Sequence, residues 1–118
     1  MDFETTIIVG PTDTDSYNII HHPQYFIWIE KVILEWLIST YGNIDGLTYE
    51  INKFQCKFLS PGVLNDKLTL RLRYKGKKAL SDRACLKFQV SIANQTTRHP
   101  VIEADFFVKV SGKIAWLA

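Results

Sequence analysis

Between Thr12 and Ser39 the chain reads TDTDSYNIIHHPQYFIWIEKVILEWLIS, and its reactive side chains crowd the head of that stretch. Two carboxylates, Asp13 and Asp15, are spaced Asp-x-Asp, and the paired His21 and His22 follow just before Pro23. Pro23 suits the first residue of a helix, where its missing N–H costs nothing and its fixed φ fits. The natural capping position then holds His22 instead of Ser, Thr, Asp or Asn, so the first-turn N–H groups lack the usual side-chain acceptor. Those groups carry partial positive charge and suit an anion or a polarised carbonyl. On spacing alone, water or a neighbouring loop fills that place equally well. Asp13 and Asp15 likewise read as turn residues bonding their own backbone, the common fate of loop aspartates. The side chains of adjacent histidines diverge, so a joint metal site is disfavoured and none is expected.

The element that positions these groups is a helix of about 17 residues, roughly 25 Å long. Its apolar residues, from Tyr25 and Phe26 through Trp28 and Trp36 to Ile38, cover most of the circumference, leaving a polar stripe through Glu30, Lys31, Glu35 and Ser39. That pattern predicts a helix buried nearly all round, with Glu30 a hydrogen-bonded anchor. It should end near Tyr41 with Gly42 as its cap. Before it, residues 3–9 read as a strand stopped by Gly10-Pro11, and Asn43 to Gly46 is turn-like.

The remainder alternates with period two. From Tyr49 to Leu59 the apolar parity changes, with Tyr49 and Ile51 followed by Phe54, Cys56 and Phe58, which predicts a bulge near Asn52-Lys53. Leu68, Leu70, Leu72 and Tyr74 share a face, as do Leu86, Phe88, Val90 and Ile92, and then Ile102, Ala104, Phe106, Val108 and Val110. Lys75 to Lys78 reads as a turn between the first two of these runs. One helix and five strands with one apolar face each predict an α+β domain, a single antiparallel sheet curved around a central helix. At about 4.8 Å per strand the sheet is roughly 24 Å wide, matching the helix. Two open edges favour pairing into a homodimer.

With 118 residues the chain makes one domain, and a net charge of +2 is too small to argue for a nucleic-acid or membrane partner. The N-terminus reads as a strand and not a leader, and the helix is too short and too charged to span a bilayer. Cys56 and Cys85 lack a CxxC spacing and are expected to be reduced thiols, which favours a cytoplasmic protein. Asn94-Gln95-Thr96 fits a glycosylation sequon that means little without a leader.

These residues resemble the hotdog-fold acyl-CoA thioesterases of the 4-hydroxybenzoyl-CoA thioesterase type, including the Tol-Pal-associated members, over essentially the whole chain. The signature Asp-x-Asp-x-x-Gly-x-x-Tyr-His-x-x-Tyr appears here as Asp13-Thr-Asp15-Ser-Tyr-Asn18-Ile-Ile-His21-His22-Pro-Gln-Tyr25, followed by Phe26, Trp28 and Glu30. A second match is Pro61-x-x-x-x-Asp66-x-Leu68. The departures are Asn18 and Asn65 in place of glycines and His21 in place of tyrosine. Asn tolerates a left-handed backbone better than most residues.

The resemblance implies a five-stranded antiparallel hotdog sheet around one long helix and hydrolysis of acyl-CoA to free acid and coenzyme A. It assigns Asp15 as base or nucleophile and the His22 N–H as donor to the carbonyl, with Gln24 in the same turn placed to contact substrate. Tyr25 and Trp28, more often core, line the acyl pocket that the family places beside this helix at a subunit interface. Lys77 and Lys78 are candidates for the coenzyme A phosphates, against a better chance of a solvated face. No separate cofactor is implied, and a homodimer or homotetramer is. An acyl-carrier-protein thioesterase and a non-catalytic acyl-CoA-binding module are the alternatives; a hotdog dehydratase lacks its Asp-x-Asn-Pro-x-His pattern here.

Overall fold

The computed structural model describes residues 2–42, 46–80 and 82–112. Strand β1 (Asp2–Ile8) leads through a 3-10 turn (Pro11–Asp13) to helix α1 (His22–Tyr41), then to β2 (Leu47–Phe58), β3 (Lys67–Ala79), β4 (Arg83–Asn94) and β5 (Pro100–Gly112). The five strands form one sheet in the order β1-β3-β4-β5-β2, every neighbouring pair antiparallel. The three C-terminal strands form a meander, and α1 carries the chain from one edge of the sheet to the other.

Alternation decides which face α1 covers. Leu68, Leu70 and Leu72, then Leu86, Phe88, Val90 and Ile92, then Ile102, Phe106, Val108 and Val110 are all buried against the helix. The helix answers with Tyr25, Ile29, Val32, Ile33, Trp36 and Leu37, the spacing of one face. Trp36 packs on the Tyr74 ring at 4.8 Å and edge-on to Phe88 at 4.9 Å.

The expectations for the helix and for Lys75 to Lys78 need adjusting. The helix starts at His22 and its N-cap is His21, so Pro23 is its second residue, not its first. It is not buried all round: Ile27 and Ile38 are 57% and 47% exposed, and Glu30 is exposed instead of being a buried anchor. A single sheet of five strands covers only one side of a cylinder, so the remaining stripe faces outward. Lys75 to Lys78 is not a turn; β3 continues to Ala79 opposite Ala84, with a register shift between Tyr74 and Gly76. Gly76 at φ +122° absorbs the extra residue. Of the turn expected over Asn43 to Gly46, residues 43–45 lie outside those described.

Other details agree. The register of β2 against β5 shifts between Ile51 and Lys53. Gly42 caps the helix through its N–H to the Ile38 carbonyl at 2.8 Å. Asn18 and Asn65 have φ of 62° and 71°, the left-handed region in which the resembling motifs use glycine.

Candidate functional site

The segment from Asp13 to His21 folds as a small hairpin. The Asp15 N–H donates to the Ile19 carbonyl at 2.9 Å, the His21 N–H to the Asp13 carbonyl at 3.3 Å, and Thr14 bridges Ile20. Asn18 at its positive φ makes the tight reversal possible. Asp13 sits at the foot, where its Oδ2 accepts the Gly10 N–H at 2.8 Å, the turn-closing role read for it as the default. Asp15 sits at the tip and is exposed. Its Oδ1 accepts the N–H groups of Tyr17 (2.8 Å) and Ile19 (3.2 Å), which fix the carboxylate in one orientation.

A second loop holds this hairpin from beneath. The Ile20 N–H donates to the Gly62 carbonyl and the Leu64 N–H to the Asn18 carbonyl, both at 2.9 Å, and Ile19 bridges Val63. The 62–66 loop is in turn pinned by Asp66, whose Oδ2 accepts the Val63 N–H at 3.0 Å and the Asn94 side-chain amide at 2.7 Å. Tyr25, one turn into α1 and 2% exposed, receives the Gly62 N–H on its hydroxyl oxygen at 3.3 Å. Burial lifts the Tyr25 hydroxyl above its ordinary range; the Gly62 N–H works against that rise and the Asp66 charge adds to it.

At the head of α1 the N-cap His21 makes no side-chain capping bond. The Gln24 N–H turns back to the His21 carbonyl at 3.0 Å, and the His22 N–H has no hydrogen-bond partner among the described residues. Beside it opens a cleft of about 290 Å³, lined by Ile19, Ile20, His22, Tyr25, Phe58, Leu59, Ser60 and Pro61. The His22 imidazole lies flat on Phe58, ring centroids 4.0 Å apart and planes 3° from parallel. The Ser60 hydroxyl is taken up by the Pro100 carbonyl at 2.5 Å. Trp28 meets the Tyr25 ring edge-on at 5.8 Å and is not among the residues lining the cleft.

The expected site residues therefore fall into three places. His22 and Tyr25 line the cleft, with Gln24 half-buried in the same turn and Trp28 against the Tyr25 ring. Asp15 is not among the residues lining the cleft; it sits at the hairpin tip, bonded to the N–H of Ile19, which does line it. Lys77 and Lys78 pair with Leu86 and Cys85 at the far end of β3, ten residues beyond Lys67 and so about 30 Å along the strand. Sequence reasoning missed Phe58 as a cleft wall, because it counted only as one of the apolar residues of β2. It also missed the Asp66–Asn94 pair, whose partners are 28 residues apart with no local pattern linking them. A larger groove of about 630 Å³ crosses the outer sheet face past Arg73, Gln89 and Asp105, away from the helix head. Among the described residues no three His, Cys, Asp or Glu side chains gather as a metal site would require, and no helix is long and apolar enough to cross a membrane.

No protein-family profile matches the chain, and no curated protein sequence does. Solved structures do. A 1,4-dihydroxy-2-naphthoyl-CoA thioesterase from Synechocystis is 16% identical with a TM-score of 0.76, over 96% of this chain and 84% of that one. A hypothetical thioesterase from Streptococcus pneumoniae, solved with coenzyme A, is 22% identical with a TM-score of 0.74, over 94% and 79%. A probable thioesterase from Bartonella henselae is 17% identical with a TM-score of 0.77, over 96% and 94%. The chain has the hotdog fold of these proteins.

Proposed function

We propose that this protein hydrolyses acyl-CoA thioesters to the free acid and coenzyme A. The observation that carries the reading is the head of α1. There the His22 N–H, without a side-chain cap and without a partner among the described residues, borders an apolar cleft. A thioester carbonyl seated there would accept that N–H, and the charge developing on its oxygen would be met by a donor needing no reorganisation. Asp15 supplies the other half. Its carboxylate either takes a proton from an attacking water or attacks the carbonyl itself to give an anhydride that water then opens. In both routes the C–S bond breaks and the thiolate leaves as coenzyme A after taking up a proton. Tyr25, Gln24 and Trp28 shape the acyl side of the site.

Asp15 does not itself line its own chain's cleft, although it accepts the N–H of Ile19, which does. In this reading a second copy completes the site, with carboxylate and helix head meeting across the join. The open edge of β2 supports this, since Phe54 and Phe58 on it are 50% and 41% exposed. Lys77 and Lys78, remote from the helix head of their own protomer, would serve coenzyme A phosphates only from a partner. The rival reading, a module that holds acyl-CoA without cleaving it, is favoured by one observation: Asp15 Oδ1 is already committed to two amides of its own turn.

The deciding experiment is a panel of acyl-CoA and acyl-carrier-protein thioesters with a thiol-reporting dye. Turnover should fall by about 100-fold or more in Asp15→Asn, and much less in Asp13→Asn. Acyl-CoA that raises the melting temperature but is never cleaved establishes the binding module instead. Cleavage confined to the carrier-protein substrates moves the specificity to that class.

A further inference from the structure

Asn94 and Asp66 are the two buried polar side chains of the described core, 1% and 5% exposed. Groups of this kind cost stability unless hydrogen-bonded, and these two are bonded chiefly to each other and to loops. Asn94 ends β4 and works in two directions. Its Oδ1 accepts the Thr96 and Thr97 N–H groups at 3.0 and 3.2 Å, closing the turn into β5. Its Nδ2 points the other way and donates to Asp66 Oδ2 at 2.7 Å.

The turn needs only the oxygen. The nitrogen serves something else, and the contacts beyond it show what. The same Asp66 Oδ2 accepts the Val63 N–H at 3.0 Å, Val63 bridges Ile19, and the Ile19 N–H donates to Asp15 Oδ1 at 3.2 Å. The parallel contacts Ile20 N–H to Gly62 carbonyl and Leu64 N–H to Asn18 carbonyl tie the rest of the hairpin to the same loop. We infer that Asn94 is a positioning residue for Asp15, holding the hairpin tip through Asp66 and Val63 from the opposite end of the chain. An Asn at this place is also consumed on both sides of its amide, which removes it as an acceptor for glycosylation. The inference rests on the reading of Asp15 as the reacting carboxylate.

The test uses the near-isosteric Asn94→Asp, which keeps the oxygen that closes the turn and sets a second oxygen against Asp66. Amide hydrogen exchange should show protection at Ile19 and Ile20 falling by about tenfold or more while amides of the helix core, Ile29 to Leu37, keep theirs. With a thioester that the wild type cleaves, kcat should fall by up to about 100-fold with KM little changed, as small misplacements of a reacting group do. Should Asn94→Asp fail to fold, Asp66→Asn, which retains an oxygen for both bonds, should lose less of kcat and of hairpin protection than Asp66→Ala. Wild-type protection at Ile19 and Ile20 in Asn94→Asp overturns the inference, and so does a loss shared equally with the helix core. An Asp15→Asn enzyme with unaltered rate would sink the hydrolytic reading separately, while the exchange data still decide the link from Asn94 to the hairpin.

Discussion

Gly62→Ala should jam the contact between the 62–66 loop and the hairpin, and the structure gives its size. A Cβ built on Gly62 lies 2.5 Å from Ile20 Cδ1 and 3.3 Å from the Tyr25 hydroxyl oxygen. Carbon atoms settle at about 3.5–4.0 Å, so the Ile20 methyl must retreat by roughly 1 Å or more. Ile20 and Tyr25 are each only 2% exposed, and the open space they border is the cleft at the head of α1, so the displaced methyl must give up packed contacts to enter it. Gly62 does not have a positive φ, so alanine meets no backbone strain and the contact alone sets the cost. Overpacking of this kind destabilises by about 1–3 kcal/mol. Ile20→Val deletes the clashing atom itself and by its own small cavity costs about 0.5–1.5 kcal/mol. If the clash is the mechanism, the double variant should be scarcely less stable than Ile20→Val. The double-mutant cycle would then return a coupling equal to nearly the whole cost of Gly62→Ala, about 1–3 kcal/mol. Urea titrations of the four proteins measure it, and thermal melts should move by about 4 °C per kcal/mol for a domain of this size. Strict additivity of the two changes, or a neutral Gly62→Ala, would refute the reasoning.

Asn18 and Asn65 occupy left-handed backbone, so Asn65→Gly should be neutral or stabilising, whereas Asn18→Val or Asn65→Val should cost on the order of 1–2 kcal/mol in the same urea assay. Burial raises the Cys56 thiol above 9.0 and the Tyr25, Tyr41 and Tyr74 hydroxyls above 10.0. Between the ordinary and raised values the native state therefore holds more protons than the unfolded chain. Stability should be full below about pH 9 and decline as pH rises past it, and Cys56→Ala should delay the onset; midpoints that hold steady or rise with alkalinity contradict this. Light scattering should give a mass at least twice the 13.6 kDa of one chain, and a monodisperse monomer at assay concentration removes the shared site.

Where one local pattern decides an element, the sequence was readable. The parity change at Ile51 and Phe54 located the bulge in β2, and the apolar sets of β3, β4 and β5 identified the buried face. Lys75 to Lys78 misled because a glycine among lysines suits a turn as well as a strand bulge. Only pairing with β4 separates the two. The helix misled differently: side-chain type does not reveal that one sheet leaves Ile27, Glu30 and Ile38 uncovered. At the site, His22 was legible from Pro23 and the absent cap, although the cap itself is His21. Asp15 was legible as a motif residue, but not that its Oδ1 is spent on its own turn. Asp66 and Asn94 meet only in the folded chain, and no periodicity announces a bond between residues so far apart.

The route of the chain across the sheet also bears on how the protein assembles itself. β3, β4 and β5 join through short reversals, while both outer strands close long loops: Asp2 lies opposite Arg73, and Leu47 opposite Gly112. Loop-closure entropy delays such distant pairings until local ones can support them. The meander should therefore nucleate folding, with β1 and β2 zipping on afterwards. Of the two, β1 closes the larger loop, its nearest pair being Ile8 with Lys67 against Phe58 with Ile102 for β2. So β1 should join last, and the edge through which two copies are expected to recognise one another is laid down before it.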